Sequence, residues 1–245
     1  MNSPHQPQLL AMMAVRNEAG RYLRPVLDRL GALADGIVIL DDASTDHTPD
    51  LCRAHPRVVR FERLSAPLFF DNEASLREKL WQLTVELDPD WILAVDADEL
   101  FAVRNKRELL ALTRQDRYGL ITFPVYHFWG DFRHYRVDRW WHPARGRAAC
   151  LYRYQKNRPY RWAPRALHCG RFPQEAYQTP RFDSAIPLLH LGYAHRREHQ
   201  AKYQRYLQLD PQGQFCPLAH YRSILDARPQ LKRWRGEDVE ALLWS

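Results

Sequence analysis

Three acids crowd into Asp96-Ala97-Asp98-Glu99, directly after the apolar run Trp91-Ile92-Leu93-Ala94-Val95. Carboxylates are ligands for hard divalent cations, and an Asp-x-Asp pair on an extended segment brings two of them within reach of one ion. The plainer alternative is that the acids cap a following helix, where the helix dipole favours negative charge. Two further polar clusters stand upstream. Arg16-Asn17-Glu18 ends the apolar run of residues 9–15, and Asp41-Asp42-Ala43-Ser44-Thr45-Asp46 ends Ile37-Val38-Ile39-Leu40.

The elements that must carry these clusters can be read from periodicity. Continuous apolar runs predict strands buried on both faces at residues 9–15, 37–40 and 91–95, with a short strand at 58–61. Between the first two, Leu23, Val26, Leu27, Leu30 and Leu33 recur at helical spacing over residues 22–34, and Gly36 is a plausible stop. Strand, helix, strand in this space is a βαβ unit, so its strands are parallel and its crossover right-handed. A second helix is expected to start near Thr48-Pro49. A third is expected over residues 72–86, with Leu76, Leu80, Leu83 and Leu87 on one face and Arg77 and Lys79 off it. All three polar clusters then lie at strand ends, on the edge where open α/β sheets bind ligands, and should converge on one crevice.

Composition sets the outer bounds. The chain has 245 residues, 45% hydrophobic and 27% charged, which fits one large α/β domain without a flexible linker or a solenoid repeat. Its formal charge of +7 calls for an anionic partner: a phosphorylated small molecule, an anionic membrane surface or nucleic acid. Cys52, Cys150, Cys169 and Cys216 are scattered singly, which suits reduced thiols. The amino-terminal residues lack a signal-peptide pattern and no run is long enough to span a bilayer, so a cytoplasmic protein is expected, with peripheral contact at the inner face of the membrane as an option.

Taken together, Val15-Arg16-Asn17-Glu18, then Asp41-Asp42-Ala43-Ser44-Thr45-Asp46, then Asp96-Ala97-Asp98-Glu99 resemble the family 2 glycosyltransferases of the GT-A fold. No glycine-rich dinucleotide or Walker loop supports a rival nucleotide-binding fold. The resemblance implies a single GT-A α/β domain with a mostly parallel central sheet flanked by helices. It divides the chain into a nucleotide-binding half at 9–101, an acceptor half at 102–195 and a helical carboxy-terminal segment at 196–245. It implies further that Ala14, Arg16, Asn17, Glu18 and Asp42 face the base and ribose of a nucleotide-diphosphate sugar, with Asp41 either joining them or supporting the loop. Arg77 would stand near the diphosphate or else be a solvated helix charge. Asp96 would contact ribose or the water shell of a metal, and Asp98 would bind Mn²⁺ or Mg²⁺.

The second half is basic and aromatic. Between Phe132 and Arg171 there are ten Arg and one Lys against the single acid Asp138, interleaved with Trp140, Trp141, Tyr152, Tyr154, Tyr160 and Trp162. Such a mixture suits a glycan or lipid-linked acceptor, single-stranded nucleic acid, or simply the rim of a small core. An inverting transfer needs a carboxylate to accept the acceptor's proton, and Asp138 is the candidate, Asp131 the alternative. The usual Glu-Asp base motif of the family is absent, and pairing of Asp138 with Arg136 or Arg139 is an equal reading. His190, at the end of an apolar strand, resembles the histidine that completes the metal site in many GT-A enzymes, and His168 is a weaker counterpart. Residues 198–209, with Lys202, Tyr203, Arg205 and Tyr206, form an amphipathic helix placed to close over a diphosphate. The rival functions are nucleotidyl transfer on the same fold, a basic nucleic-acid-binding protein, and a GT-A-like domain that binds without turnover.

Overall fold

The computed structural model describes residues 8–69, 72–163 and 167–244, and every structural statement below concerns these. Residues 1–7, Arg165 of the basic stretch and Ser245 lie outside them.

The first half alternates strand and helix as the periodicity requires. Strand β1 (Leu9–Val15) leads into α1 (Leu23–Leu33), which buries Leu23, Val26, Leu27 and Leu30 beneath the sheet. Strand β2 (Gly36–Asp41) follows, then α2 (Thr48–Ala54), with Pro49 in its first turn, and β3 (Val58–Arg63). Gly36 opens β2 instead of closing the helix: a Cβ there would lie 2.8 Å from the Val59 side chain, so close packing of the next strand requires glycine. Helix α3 (Glu73–Val85) is capped by Asn72, whose side chain accepts the Ser75 N–H at 3.2 Å. It delivers the chain to β4 (Trp91–Ala94), and β5 (Glu99–Phe101) follows after a short turn.

The second half is α4 (Lys106–Ala111), β6 (Leu120–Trp129), β7 (His134–Arg136), β8 (Arg147–Arg153), β9 (Arg181–Asp183) and β10 (Leu188–Tyr193), ending in α5 (Arg196–Leu209), α6 (Leu218–Ser223), β11 (Leu231–Arg233) and α7 (Val239–Trp244). The carboxy-terminal segment is helical as expected, with α5 over the stretch read as an amphipathic helix, and it adds one edge strand, β11, that its sequence did not announce.

These strands form one mixed sheet in the order β11-β7-β6-β8-β4-β1-β2-β3, with β9 and β10 on β6 and β5 on β10. Strands β4, β1, β2 and β3 are parallel, whereas β8 runs antiparallel to both β4 and β6. The strand order reverses at β1: the chain moves outward from β1 to β2 and β3, then returns through α3 to place β4 on the other side. That reversal leaves a crevice at the carboxyl ends of β1 and β4.

The aromatic residues of the basic stretch turn largely inward. Trp81 of α3 meets the edges of Tyr160 at 4.9 Å and Tyr154 at 5.8 Å, and Tyr152 is buried beside them. Trp141 packs against Trp129 and Tyr193, each at 5.0 Å, while the guanidinium of the buried Arg136 lies 4.4 Å from the Trp129 ring centre. A nucleic-acid platform presents ring faces to solvent. Here Trp141 and Tyr152 are buried, and Trp140, Tyr154, Tyr160 and Trp162 rim the core half-buried, the structural alternative weighed for this stretch.

Candidate active site

The three strand-end clusters meet at one cleft of about 530 Å³. Ala14, Arg16, Asn17 and Glu18 reach it from the end of β1, Asp42 from β2, Arg77 from α3, Asp96 and Asp98 from β4, and His190 from β10. His168 also lines it, and α5 contributes Lys202, Arg205 and Tyr206.

The loops after β1 and β2 are locked to one another. Asn17 and Ala43 both take left-handed backbone conformations, with φ of 54° and 56°. Asn tolerates this readily, but Ala adopts it only where its surroundings enforce it. The enforcement is visible: the Arg16 guanidinium donates to the carbonyls of Asp42 and Ala43, the Asn17 N–H donates to Ser44 Oγ at 3.0 Å, and Asn17 Oδ1 accepts the Thr45 N–H at 2.8 Å. Asp41 is fully buried and lies outside the cleft lining; it accepts the Ser44 N–H at 2.9 Å and so supports the loop. Asp42 lines the cleft, with its carboxylate accepting the N–H groups of Leu68 at 2.5 Å and Phe69 at 3.3 Å.

Charge pairing organises the β4 end. Arg77 is not a solvated helix charge. Its side chain is 11% exposed and bridges Asp96, at 3.0 Å, to Glu73, at 3.4 Å. Arg171 arrives from the basic stretch and grips both oxygens of the buried Glu99 at 2.6 Å, reaching Asp96 at 3.3 Å. Burial alone would raise the Asp96 carboxyl, but Arg77 and Arg171 outweigh it and hold it below the usual carboxylate range. Glu99 therefore anchors a loop and does not cap a helix.

Asp98 has different partners. Its carboxylate meets Lys202 Nζ at 3.3 Å, His190 Nε2 at 3.7 Å and Arg21 at 3.9 Å. Burial again pushes upward, and Lys202, His190 and Arg21 together depress the group well below its ordinary value. Burial lowers His190 and, more strongly, His127, and the two rings share a hydrogen bond between their Nδ1 atoms at 3.1 Å. Burial drives Glu18 the other way, to about 7 despite the Arg21 guanidinium at 2.9 Å.

Asp98 and His190 offer an oxygen and an imidazole nitrogen to one point, a donor set that suits Mn²⁺. Among the described residues no group of three or more His, Cys, Asp or Glu side chains is arranged to hold a metal unaided, so ligand oxygens and water would have to complete a shell there. The donor set fits a cation that arrives with an anionic ligand.

Asp138 and Asp131 do not line this cleft. The Asp138 carboxylate takes Arg136 Nε at 2.6 Å and the N–H groups of Trp140 and Trp141, and it lines a separate hollow with Arg139 and Arg222. Asp131 accepts the N–H groups of Arg133 and His134 and pairs with the His134 ring at 2.9 Å. Both carboxylates are engaged by groups of their own loops. Conversely, sequence reasoning passed over Glu73, Arg21 and Arg171 as site residues. Arg171 lies 72 residues from Glu99 in a run full of arginines, where no local signal distinguishes it.

No family model matches the chain. It is 30% identical over 233 residues to two uncharacterised proteins, Rv3786c of Mycobacterium tuberculosis and Mb3815c of Mycobacterium bovis; each alignment covers 89% of this chain and 54% of the relative. The chain thus spans about half the length of the curated relatives it matches. Among solved structures, Staphylococcus aureus TarS 1-349 in complex with UDP superimposes with a TM-score of 0.56 at 13% identity, covering 89% of this chain and 69% of that one. Its complex with UDP-GlcNAc gives 0.53 at 12% identity, covering 89% and 70%. The likeness is one of fold: the chain has the α/β fold of the GT-A glycosyltransferases.

Proposed function

We propose that this chain is a glycosyltransferase of the family 2 type, moving a sugar from a nucleoside-diphosphate donor to a hydroxyl acceptor such as a glycan or a lipid-linked saccharide. The observation that carries this reading is the convergence of the Arg16, Asp42 and Asp98 clusters on one cleft at the switch point of the sheet. The locked pair of loops after β1 and β2 offers a rigid seat for the base and ribose, with Ala14, Asn17, Glu18 and Asp42 facing it. The Arg205 Nε is buried without a hydrogen-bond acceptor among the described residues, which supports an anionic ligand above α5.

Asp98 and His190 would hold the divalent cation, Mn²⁺ or Mg²⁺. Such an ion supplies Lewis-acid stabilisation of charge on a departing diphosphate. The chain's own part is to orient the donor, to keep Asp98 ionised through Lys202 and Arg21, and to fix Asp96 with Arg77 and Arg171. Inversion remains part of the proposal, but with Asp138 and Asp131 tied into loops outside the cleft we keep neither as the base. Among the described residues no helix is long and apolar enough to cross a membrane. Peripheral membrane contact is part of the proposal, through the exposed Arg133, Arg139, Arg145 and Arg161 of the basic stretch.

The test is a thermal-shift screen of nucleoside diphosphates with and without Mn²⁺, because a ligand that binds only the native state raises its apparent stability. At least one diphosphate should raise Tm, and more so with the cation. A flat response across the panel would end the reading.

A further inference from the structure

Asp98 already has a cation. Lys202 comes from α5 and is buried, with only 9% of its surface exposed, and its Nζ stands 3.3 Å from Asp98 Oδ2 and 4.5 Å from the centre of the Tyr193 ring. The space it fills is kept open by sequence: a Cβ on Gly192 would collide with Lys202 Nζ, Asp98 Oδ2 and the His190 ring. The other nearby cation is engaged elsewhere. Arg21 pairs with Glu198 at 2.8 Å and with Glu18 at 2.9 Å, and stands off from Asp98 at 3.9 Å.

We propose that Lys202 is a resident cation of the Asp98 site, which a divalent metal must displace and which a nucleoside diphosphate draws away, so that metal and nucleotide load together. The proposal rests on the donor reading given above and adds to it a coupling between the two ligands. A carboxylate neutralised by an ammonium has little attraction left for a dication, and the two cations repel at this range. A diphosphate changes the balance by offering Lys202 new oxygen acceptors within reach of its flexible four-carbon stem. Asp98 is then released toward the metal. Because such coupling is reciprocal, the metal favours the nucleotide by the same factor as the nucleotide favours the metal.

The experiment measures Mn²⁺ binding to the full chain by the loss of the free-ion electron paramagnetic resonance signal, with and without UDP, for wild type, Lys202→Met and Lys202→Gln. Met keeps the length and apolar stem of Lys, and Gln guards against a misfolded variant; circular dichroism checks both. Without UDP, the Lys202 variants should bind Mn²⁺ about tenfold or more tightly than wild type, within the usual span of coupling energies, and the gain produced by UDP should shrink accordingly. Adding Asp98→Asn to Lys202→Met should abolish that gain. Unchanged or weaker Mn²⁺ binding in folded Lys202 variants overturns the proposal while leaving the donor reading standing. If no protein in the series takes up Mn²⁺ even with UDP present, the cation site itself is refuted, and this inference with it.

Discussion

Arg171 holds Glu99 by both carboxylate oxygens, 2.6 Å each, and uses the same guanidinium to reach the carbonyl of Ala94 at 3.1 Å and Asp96 at 3.3 Å. One side chain from the basic stretch thereby fixes the turn that carries the Asp96-Ala97-Asp98 segment. The carboxylate that it neutralises is only 2% exposed.

Arg171→Ala should therefore destabilise the protein by about 3–5 kcal/mol, the cost of leaving a buried carboxylate without its partner. Arg171→Lys should recover only part of that, because an ammonium cannot make the forked pair. Urea unfolding midpoints check both, and equal midpoints for Ala and wild type would show the pair to be ornamental.

Asp98→Asn should remove the Mn²⁺-dependent part of any nucleotide-induced thermal shift and abolish transfer, with the far-ultraviolet circular dichroism spectrum unchanged. Asn keeps the shape and loses the charge that a hard cation requires. Retained turnover would end the metal assignment.

Gly192→Ala tests the crowding at the same point. The added methyl would meet the Lys202 ammonium and the Asp98 carboxylate, so one of them must move. Overpacking of this kind costs about 1–3 kcal/mol. Nucleotide affinity measured by calorimetry should fall further than the drop in Tm explains.

Glu18 gives a pH dependence. Its carboxyl is raised by burial to about 7, from 4.5 in an unfolded chain, so the folded state binds the extra proton between these values. Stability from this group is therefore greatest at low pH and declines as pH rises from 4.5 through about 7. Glu18→Gln cannot ionise, so its Tm relative to wild type should rise between pH 5 and pH 8, measured in about half-unit steps. Binding of an anionic nucleotide to wild type should weaken over the same window as Glu18 becomes charged. A pH-independent difference between the two proteins would count against the shifted carboxyl.

Asp138→Ala separates loop order from catalysis. Removing the acid strips a partner from the buried Arg136 and from two backbone N–H groups, so a loss of about 3 kcal/mol is expected. UDP binding, read by calorimetry on the folded variant, should stay unchanged. Collapse of turnover at full stability would restore Asp138 as the base.

The sequence by itself determined the parallel half of the sheet and the content of its ligand edge. Residues 9–15, 37–40 and 91–95 are apolar on both sides and break abruptly into polar clusters, so burial dictates strands there and leaves the clusters at their ends. Helical spacing of Leu23, Val26, Leu27 and Leu30 then forces the crossover that makes those strands parallel. What only the tertiary structure decided is pairing. Local pattern reports whether a side chain faces core or water, but which of many arginines meets which acid depends on contacts between distant segments. Arg171 with Glu99, Arg77 with Asp96 and Lys202 with Asp98 are separated by 72, 19 and 104 residues. Asp138 shows the other limit of local pattern: the sequence offered it equally as a base and as a partner of Arg136 or Arg139, and the folded chain pairs it with Arg136 and places it outside the cleft lining.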